Sequence, residues 1–302
     1  MKITVVVLNW NAGKYIAPCL RSLGRLATRP HQVEIVVVDN GSTDNSVKLI
    51  KKLFPKFKLI QTGQNLGYAG GNNVGLQYAL DHGSDFVWIV NPDVQVHPGS
   101  LQALADAASD HPMGGIFGSK CYFAKGFEFH KTRYTPSQLG HVLWYAGGKI
   151  DWANLITQHI GIDEVDIGQY NQTRETDTVT GTSFFIRRQV LEQIGLIDPK
   201  YFLYYEETDL CVRASRAGWK LYYVPESIVW HRVGQASGIG SPLADYYTTR
   251  NRLLFGLRWA PPRTKLALFR QSLQHLVSGR PWQRKGVVDF YLGRFGRGSY
   301  VN

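Results

Sequence analysis

Residues 85–93 read DFVWIVNPD: five apolar side chains in succession, closed by Asn91-Pro92-Asp93. A half-buried strand alternates apolar with polar residues, so an unbroken run of this length needs cover on both faces. Asn-Pro is an ordinary way to end a strand. Whether this end does more depends on what gathers beside it. Working outward, ITVVVLNW (3–10), EIVVVDN (34–40) and FKLIQT (57–62) are further short runs rich in β-branched residues. Helix-like stretches lie between and after them, at 14–23, 45–54, 72–82 and 99–109. Buried strands alternating with helices predict an α/β fold with a mostly parallel sheet flanked by helices. Ligands of such sheets bind beyond the carboxyl ends of the strands.

Three of those ends carry short polar side chains: Asn9-Trp10-Asn11, Asp39-Asn40-Gly41 and Asn91-Pro92-Asp93. Any one of them is more often a turn or a helix cap than a site. Their recurrence at one topological position makes that edge a candidate binding site, with Asn9, Asn11, Asp39, Asn91 and Asp93 as its members.

The chain has 302 residues, 44% hydrophobic and 19% charged, a balance that excludes a disordered chain. Cys19, Cys121 and Cys211 show no metal or disulfide spacing and suit a reducing compartment. No apolar run is long enough for a membrane span, and MKITVVVLNW enters a strand at once, without room for a signal peptide. The expectation is a cytoplasmic protein. Its net charge of +11 is uneven: residues 258–302 hold nine Lys/Arg against one acid, Asp289, which leaves the remainder near neutral.

Past residue 110 the periodicity loosens. TVTGTSFFIRR signals a strand, 188–194 and 209–217 read as helices, and LYYVPESIVWH reads as a strand pair. The expected organisation is one domain over 1–241 followed by a basic appendage over 242–302.

Four segments could carry chemistry. Asp39 opens DNGSTD, a strand end leading into a helix, where a carboxylate can accept from a ribose or a base edge. QNLGYAGGNNVG (64–75) matches neither GxGxxG nor the P-loop, although its glycines allow a backbone to approach a ligand closely. In YYEETDLCVRASRAGW, the acids Glu206, Glu207 and Asp209 either complement a helix dipole or include a general base. His231 follows an apolar run, either as a satisfied core group or as a ligand.

DNGSTD, NLGYAGGNN, NPDV, the VTGTSFFIRR and DPKYFLYYEETDLCVR block, and WHRVGQAS occur in this order. Over residues 1–255 the chain thereby resembles family 2 glycosyltransferases of the GT-A fold, bacterial rhamnosyltransferase-like members above all. The resemblance implies that Asp39 holds the nucleotide, with Asn65 and Gly67 lining the same pocket. It implies that Asp93 matches the last acid of the metal-binding DxD motif and that His231 completes the coordination of Mg²⁺ or Mn²⁺. Glu206-Glu207 would supply the catalytic base, Glu207 foremost, with Asp209 as a further candidate. Two positions depart from the pattern: Asn91 replaces the first Asp of DxD, and Glu207 stands where Asp is commoner.

The implied activity is inverting transfer of a sugar, with rhamnose as a candidate, from a nucleotide diphosphate sugar to a hydroxyl. The acceptor would be a glycan or lipid-linked molecule of bacterial surface polysaccharide synthesis. Two rivals are a sugar-nucleotide nucleotidyltransferase and a nucleotide-sugar-binding scaffold without catalysis. LNWNAGKY, with one glycine and Lys14, lacks the usual loop of the first. The acids at 93 and 207 count against the second. In the tail, PPRTKLALFRQSLQHLVS (261–278) places Leu266, Phe269, Leu273 and Leu276 on one helical face. That face either packs on the domain or rests on an anionic membrane surface at the inner side of the cell membrane. No nucleic-acid module is visible, and no nucleic-acid partner is expected.

Overall fold

The computed structural model describes residues 1–233 and 241–301. The GQAS end of WHRVGQAS lies outside the described residues. Strands β1 (Lys2–Asn9), β2 (Gln32–Asp39), β3 (Lys58–Gln61) and β4 (Phe86–Val90) are parallel neighbours in the order β4-β1-β2-β3. Helices α1 (Ile16–Leu23), α2 (Ser46–Leu53) and α3 (Gly67–Asp81) connect them. After β4 come β5 (Val94–Val96), α4 (Ser100–Asp110), β6 (Gly114–Phe123) and β7 (Leu143–Tyr145). Next are β8 (Gly148–Asp151), β9 (Ile156–His159), β10 (Arg174–Glu175) and β11 (Ser183–Arg187). Helices α5 (Arg188–Ile194) and α6 (Glu206–Arg216) precede β12 (Lys220–His231).

The continuous apolar runs divide between two cores, as cover on both faces demands. Val5 and Val7 of β1, with Phe86, Trp88 and Val90 of β4, pack on one face with Leu20 of α1 and Leu104 of α4. Val6, Leu8, Val87 and Ile89 pack on the other with Leu76 of α3 and Val190 of α5. Trp88 is fully buried, and its indole N–H donates to Ser183 Oγ at 2.9 Å. Truncating it would cost about 3–5 kcal/mol.

The second half of the sheet departs from the parallel pattern. β11 lies antiparallel between β4 and β6, so the sheet as a whole is mixed. LYYVPESIVWH belongs to one 12-residue strand rather than a pair. Pro225 has no N–H for the ladder, and the chain absorbs it as a register shift between Val224 and Ile228 instead of turning. The three-residue β5, which the sequence reading did not separate, pairs antiparallel with the end of β12 and sets His231 opposite Val94.

Helix α3 begins at Gly67, five residues before the expected start. Its glycines serve packing rather than a ligand: a Cβ at Gly71 would lie 2.5 Å from Leu8 and one at Gly75 would lie 2.3 Å from Val6. Burial against β1 thus overrides the low helix propensity of glycine.

The C-terminal helices are α7 (Pro242–Trp259), α8 (Pro262–Ser278) and α9 (Pro281–Tyr291). Leu253, Phe255, Leu268 and Val287 share a core with Leu155, Tyr201 and Val212. Helix α8 turns its small side inward, burying Thr264, Leu268 and Ser272. Its apolar stripe points outward: Leu266 is 53% exposed, Phe269 48%, Leu273 45% and Leu276 37%. Among the described residues, no helix is long and apolar enough to cross a membrane.

Candidate active site

Parallel register brings Asn9 and Asp39 side by side at the carboxyl edge. Asn9 Nδ2 donates to Asp39 Oδ1 at 2.8 Å, to Ser42 Oγ at 3.0 Å and to Ser46 Oγ at 2.8 Å. Asn9 is therefore a buried brace for the Asp39 carboxylate, and its own Oδ1 has no partner. Asp39 Oδ2 accepts from the Ser42 N–H at 3.3 Å, so acceptor capacity remains on both oxygens. Asn11 stands apart, with its backbone left-handed at φ 51°. Its Oδ1 accepts from the Thr43 and Asp44 amides at 2.8 and 3.2 Å and caps the loop after Asp39.

Asn65 Oδ1 accepts from the Gly67 N–H at 2.8 Å and from Asn40 Nδ2 at 3.1 Å. Asn40, which strand-end reasoning passed over, also donates to Gly67 O and accepts from Leu66 N–H, tying β2 to the start of α3. At Gly67 φ is +76°, and a Cβ would stand 2.4 Å from the Phe202 ring, so glycine is required there.

The Asn91-Pro92-Asp93 turn closes through Val94 N–H to Asn91 O at 3.2 Å. Because β5 pairs with β12, Asp93 Oδ2 comes 3.3 Å from His231 Nε2. That separation is longer than a charge-assisted hydrogen bond. Among the described residues, Asn91 Oδ1, Asp93 Oδ1 and His231 Nδ1 are buried without a partner. Buried polar atoms are normally satisfied, so three orphans on this turn and the histidine beside it mark a position for a ligand. An imidazole, a carboxylate and an amide oxygen are a donor set that accepts Mn²⁺ or Mg²⁺ when phosphate oxygens complete the shell. Among the described residues no cluster of three or more His, Cys, Asp or Glu could hold a metal, so the protein's own share is small. The Trp144 ring lies edge-on to His231 at 4.6 Å and to His159 at 4.4 Å, holding the imidazole in place. Burial pushes His159 down to about 4, so it stays neutral beside His231.

The acids of α6 divide sharply. Asp209 is fully buried and accepts four donors: Tyr201 Oη at 3.0 Å, Arg213 Nε at 2.8 Å, Arg258 Nη1 at 2.9 Å and Trp259 Nε1 at 2.8 Å. Fully buried and paired to two guanidinium groups, it belongs to the scaffold. Among the described residues, Glu207 Oε2 accepts from the Gly181 N–H, at 2.9 Å, and Glu206 Oε2 has no partner. Burial raises the proton affinity of both well above the ordinary carboxylate range, and for Glu206 the Glu207 charge adds to this. A Cβ at Gly181 would sit 2.2 Å from Glu207 Oε2 and 2.3 Å from Tyr68 Oη, so the missing side chain makes this contact possible. Tyr68 donates to Gly181 O at 3.0 Å, and the charges of Glu207, Glu206 and Asp93, added to burial, keep its phenol protonated. The base candidates and the Asp93 turn therefore lie within electrostatic reach of one ring. Neither Tyr68 nor Gly181 carried a sequence signal of its own beyond membership of NLGYAGGNN and VTGTS.

Comparisons with known proteins bear on the family and the fold. The model of glycosyl transferase family 2 matches residues 4–195, and that of glycosyl transferase family group 2 matches 120–293. An N-acetylglucosaminyl-diphospho-decaprenol L-rhamnosyltransferase of Mycobacterium tuberculosis is 31% identical over 244 residues, 78% of each chain. The dTDP-rhamnosyl transferase RfbF of Shigella flexneri is 24% identical over 83% of this chain and 79% of its own. Among solved structures, GalNAc-T7 with UDP, GalNAc and Mn²⁺ superposes with a TM-score of 0.68 at 16% identity, over 96% of this chain. This chain spans 54% of that one. The mannosyltransferase PcManGT of Pyrobaculum calidifontis with GDP-Man and Mn²⁺ gives 0.56 at 17% identity, over 96% of this chain and 74% of its own. The expected GT-A fold is thus present, and the chain belongs to glycosyl transferase family 2.

Proposed function

We propose that this glycosyltransferase is an inverting, metal-assisted enzyme that moves a sugar from a nucleoside diphosphate donor to a hydroxyl of a glycan or lipid-linked acceptor. Its setting would be bacterial surface polysaccharide assembly, and rhamnose on deoxythymidine diphosphate is the first donor to test. The observation that carries the reading is the contrast between satisfied and unsatisfied groups at one sheet edge. Asp39 retains acceptor capacity for a ribose or base, with Asn65 and Gly67 shaping the pocket beside it. Asp93, His231 and Asn91 would hold a divalent ion, which when bound neutralises the leaving diphosphate. Glu207, held by the Gly181 N–H and buried enough to favour a proton near neutral pH, takes the proton of the acceptor hydroxyl. The oxygen then attacks the anomeric carbon from the face opposite the diphosphate, and the configuration inverts. The rhamnosyltransferase relatives support the donor class.

The tail fits the same reading. The outward stripe of α8, joined by exposed Val288, Tyr291 and Leu292 of the α9 end, is bordered by exposed Arg263, Arg270, Arg284 and Lys285. The single acid of this region, Asp289, is buried against Tyr246 and Ser299. An apolar face rimmed by cations without a competing surface acid suits the anionic leaflet that would display a lipid-linked acceptor.

Two measurements test these statements. Thermal melts with a panel of nucleotide sugars should show a rise for one donor only when Mn²⁺ or Mg²⁺ is present, and Asp93→Ala should abolish it. A panel without any metal-dependent rise would sink the donor reading. Sedimentation with phosphatidylglycerol vesicles should capture the protein and lose Phe269→Glu/Leu273→Glu, with phosphatidylcholine vesicles capturing little. Equal capture of both proteins removes the membrane reading. Surface substitution is the right tool because truncation before Arg258 would also strip Asp209 of two donors, Arg258 and Trp259.

A further inference from the structure

The backbone just before the base candidates is unusual. Phe202, Tyr204 and Tyr205, none of them glycine, have φ of 64°, 69° and 72°. The left-handed region brings Cβ against the following carbonyl in L-residues, so three such residues within four positions persist only where surroundings over-determine them. Tyr205 is the residue from which α6 starts, directly before Glu206 and Glu207.

The over-determination comes from two adjacent residues of α7. Arg250 and Asn251 are both fully buried. Arg250 Nη2 donates to Lys200 O at 3.1 Å and Tyr201 O at 3.0 Å, while its Nη1 donates to Gly296 O at 2.7 Å. Asn251 Nδ2 lies 2.7 Å from Tyr201 O, 2.7 Å from Leu203 O and 2.9 Å from Tyr204 O. Arg250 Nε in turn donates to Asn251 Oδ1 at 3.0 Å, which fixes the amide so that its N–H groups face the turn. Four backbone carbonyls of the turn thus accept from one side-chain pair; Lys200 O and Tyr201 O also accept from the Gly296 and Leu203 amides, whereas Leu203 O and Tyr204 O take their donor from Asn251. The remaining carbonyl, Phe202 O, accepts from the Tyr68 and Ala69 amides at 2.7 and 3.3 Å, at the start of α3.

We propose that Arg250 and Asn251 are positioning residues for sugar transfer: they hold the 200–204 turn in its left-handed form and so aim the Glu206-Glu207 end of α6 at the acceptor hydroxyl. The proposal rests on the reading of Glu207 as base. Several features separate this pair from a merely stabilising contact. Among the described residues its hydrogen bonds reach no donor-pocket residue, it grips the turn rather than the helix body, and it spends a buried guanidinium on neutral carbonyls. Burial lowers the proton affinity of Arg250, yet the five-donor fork suits a cluster of carbonyls that a lysine could not span.

The test uses the full chain with Asn251→Asp, which keeps the shape and removes the donors, and Asn251→Ser, which keeps one donor and guards against loss of folding. In a variant that retains the wild-type circular dichroism, kcat should fall at least tenfold while donor affinity changes less than threefold. The midpoint of the Glu206-Glu207 titration, followed by ¹³C NMR of labelled glutamate, should drop toward the ordinary carboxylate range as the loosened turn admits water. Asn251→Ser should lie between wild type and Asn251→Asp in both readouts. An unchanged kcat, an unchanged midpoint, or equal losses of turnover and donor affinity in a folded variant overturns the proposal. The titration needs no substrate. A wild-type chain that transfers no sugar would therefore defeat the functional reading while the NMR result still decides the clamp.

Discussion

Within its first turn, α6 presents carboxylates to two different neighbourhoods. Asp209 meets a phenol, two guanidinium groups and an indole, all within hydrogen-bond distance. Among the described residues, Glu207 Oε2 meets the Gly181 amide and Glu206 Oε2 meets no donor. The three acids look alike in the sequence, and helix-dipole arguments treat them alike. What separates them is the supply of donors. A carboxylate whose oxygens are all used is part of the scaffold, whereas one left short of partners in a buried position keeps its chemistry for something that arrives.

The contrast can be broken at either end. Glu207→Gln should lower transfer by about 10²–10⁴-fold with the melting temperature unchanged or higher. A variant with full turnover would falsify its role as base. Asp209→Ala should do the reverse: it takes a partner from Arg213, Arg258, Tyr201 and Trp259 and should cost ~3 kcal/mol in urea unfolding, with the loss of activity following the loss of folded protein. Gly181→Ala sharpens the comparison, because its Cβ must displace Glu207 or Tyr68. The expected cost is about 1–3 kcal/mol, and a crystal structure should show Glu207 moved off the amide of residue 181.

The smallest effect concerns pH. The folded state raises the proton affinity of Glu206 and Glu207, so the folded chain binds protons that the unfolded chain has already released. The stability this provides is complete below the ordinary carboxylate range and is lost as pH rises toward and through neutrality. Glu206→Gln should therefore stabilise the protein at pH 8 by something on the order of 1 kcal/mol, with the gain vanishing near pH 4. Melts at the two pH values decide it; a gain that grows as pH falls contradicts the assigned environment. The acid limb of the wild-type rate should likewise sit above the range of an exposed glutamate.

How far the sequence could be read follows from the same physics. Strands β1, β2 and β4 were legible because each shows its two-sided cover as an apolar run, and β3, at the sheet edge, through half-buried Leu59 and Ile60 between polar ends. Strand β5 was not, since three residues, Val94–Val96, carry no period and their pairing depends on β12. The start of α3 was hidden by glycines that are helical only because β1 packs on them. In the tail, period 3.6 placed Leu266, Phe269, Leu273 and Leu276 on one face correctly. Periodicity cannot say whether such a face looks inward, and here it is the side of Thr264 and Ser272 that is buried. Asp93, His231 and Glu207 were identified through motif resemblance. The clamp by Arg250 and Asn251 had no such signal, because donors to backbone carbonyls can come from any polar residue the fold brings near.

The pairing of β5 with β12 also bears on biosynthesis. Asp39 and Asp93 leave the ribosome early, but the strand that sets His231 opposite Val94 is made after every other strand of the sheet. The helix that grips the 200–204 turn, α7, is made later still. On the proposed roles, a growing chain has Asp39 and Asp93 long before it has the imidazole or a fixed base. Transfer would then wait until α7 has been made, so a chain released before α7 would be unable to spend the donor on water.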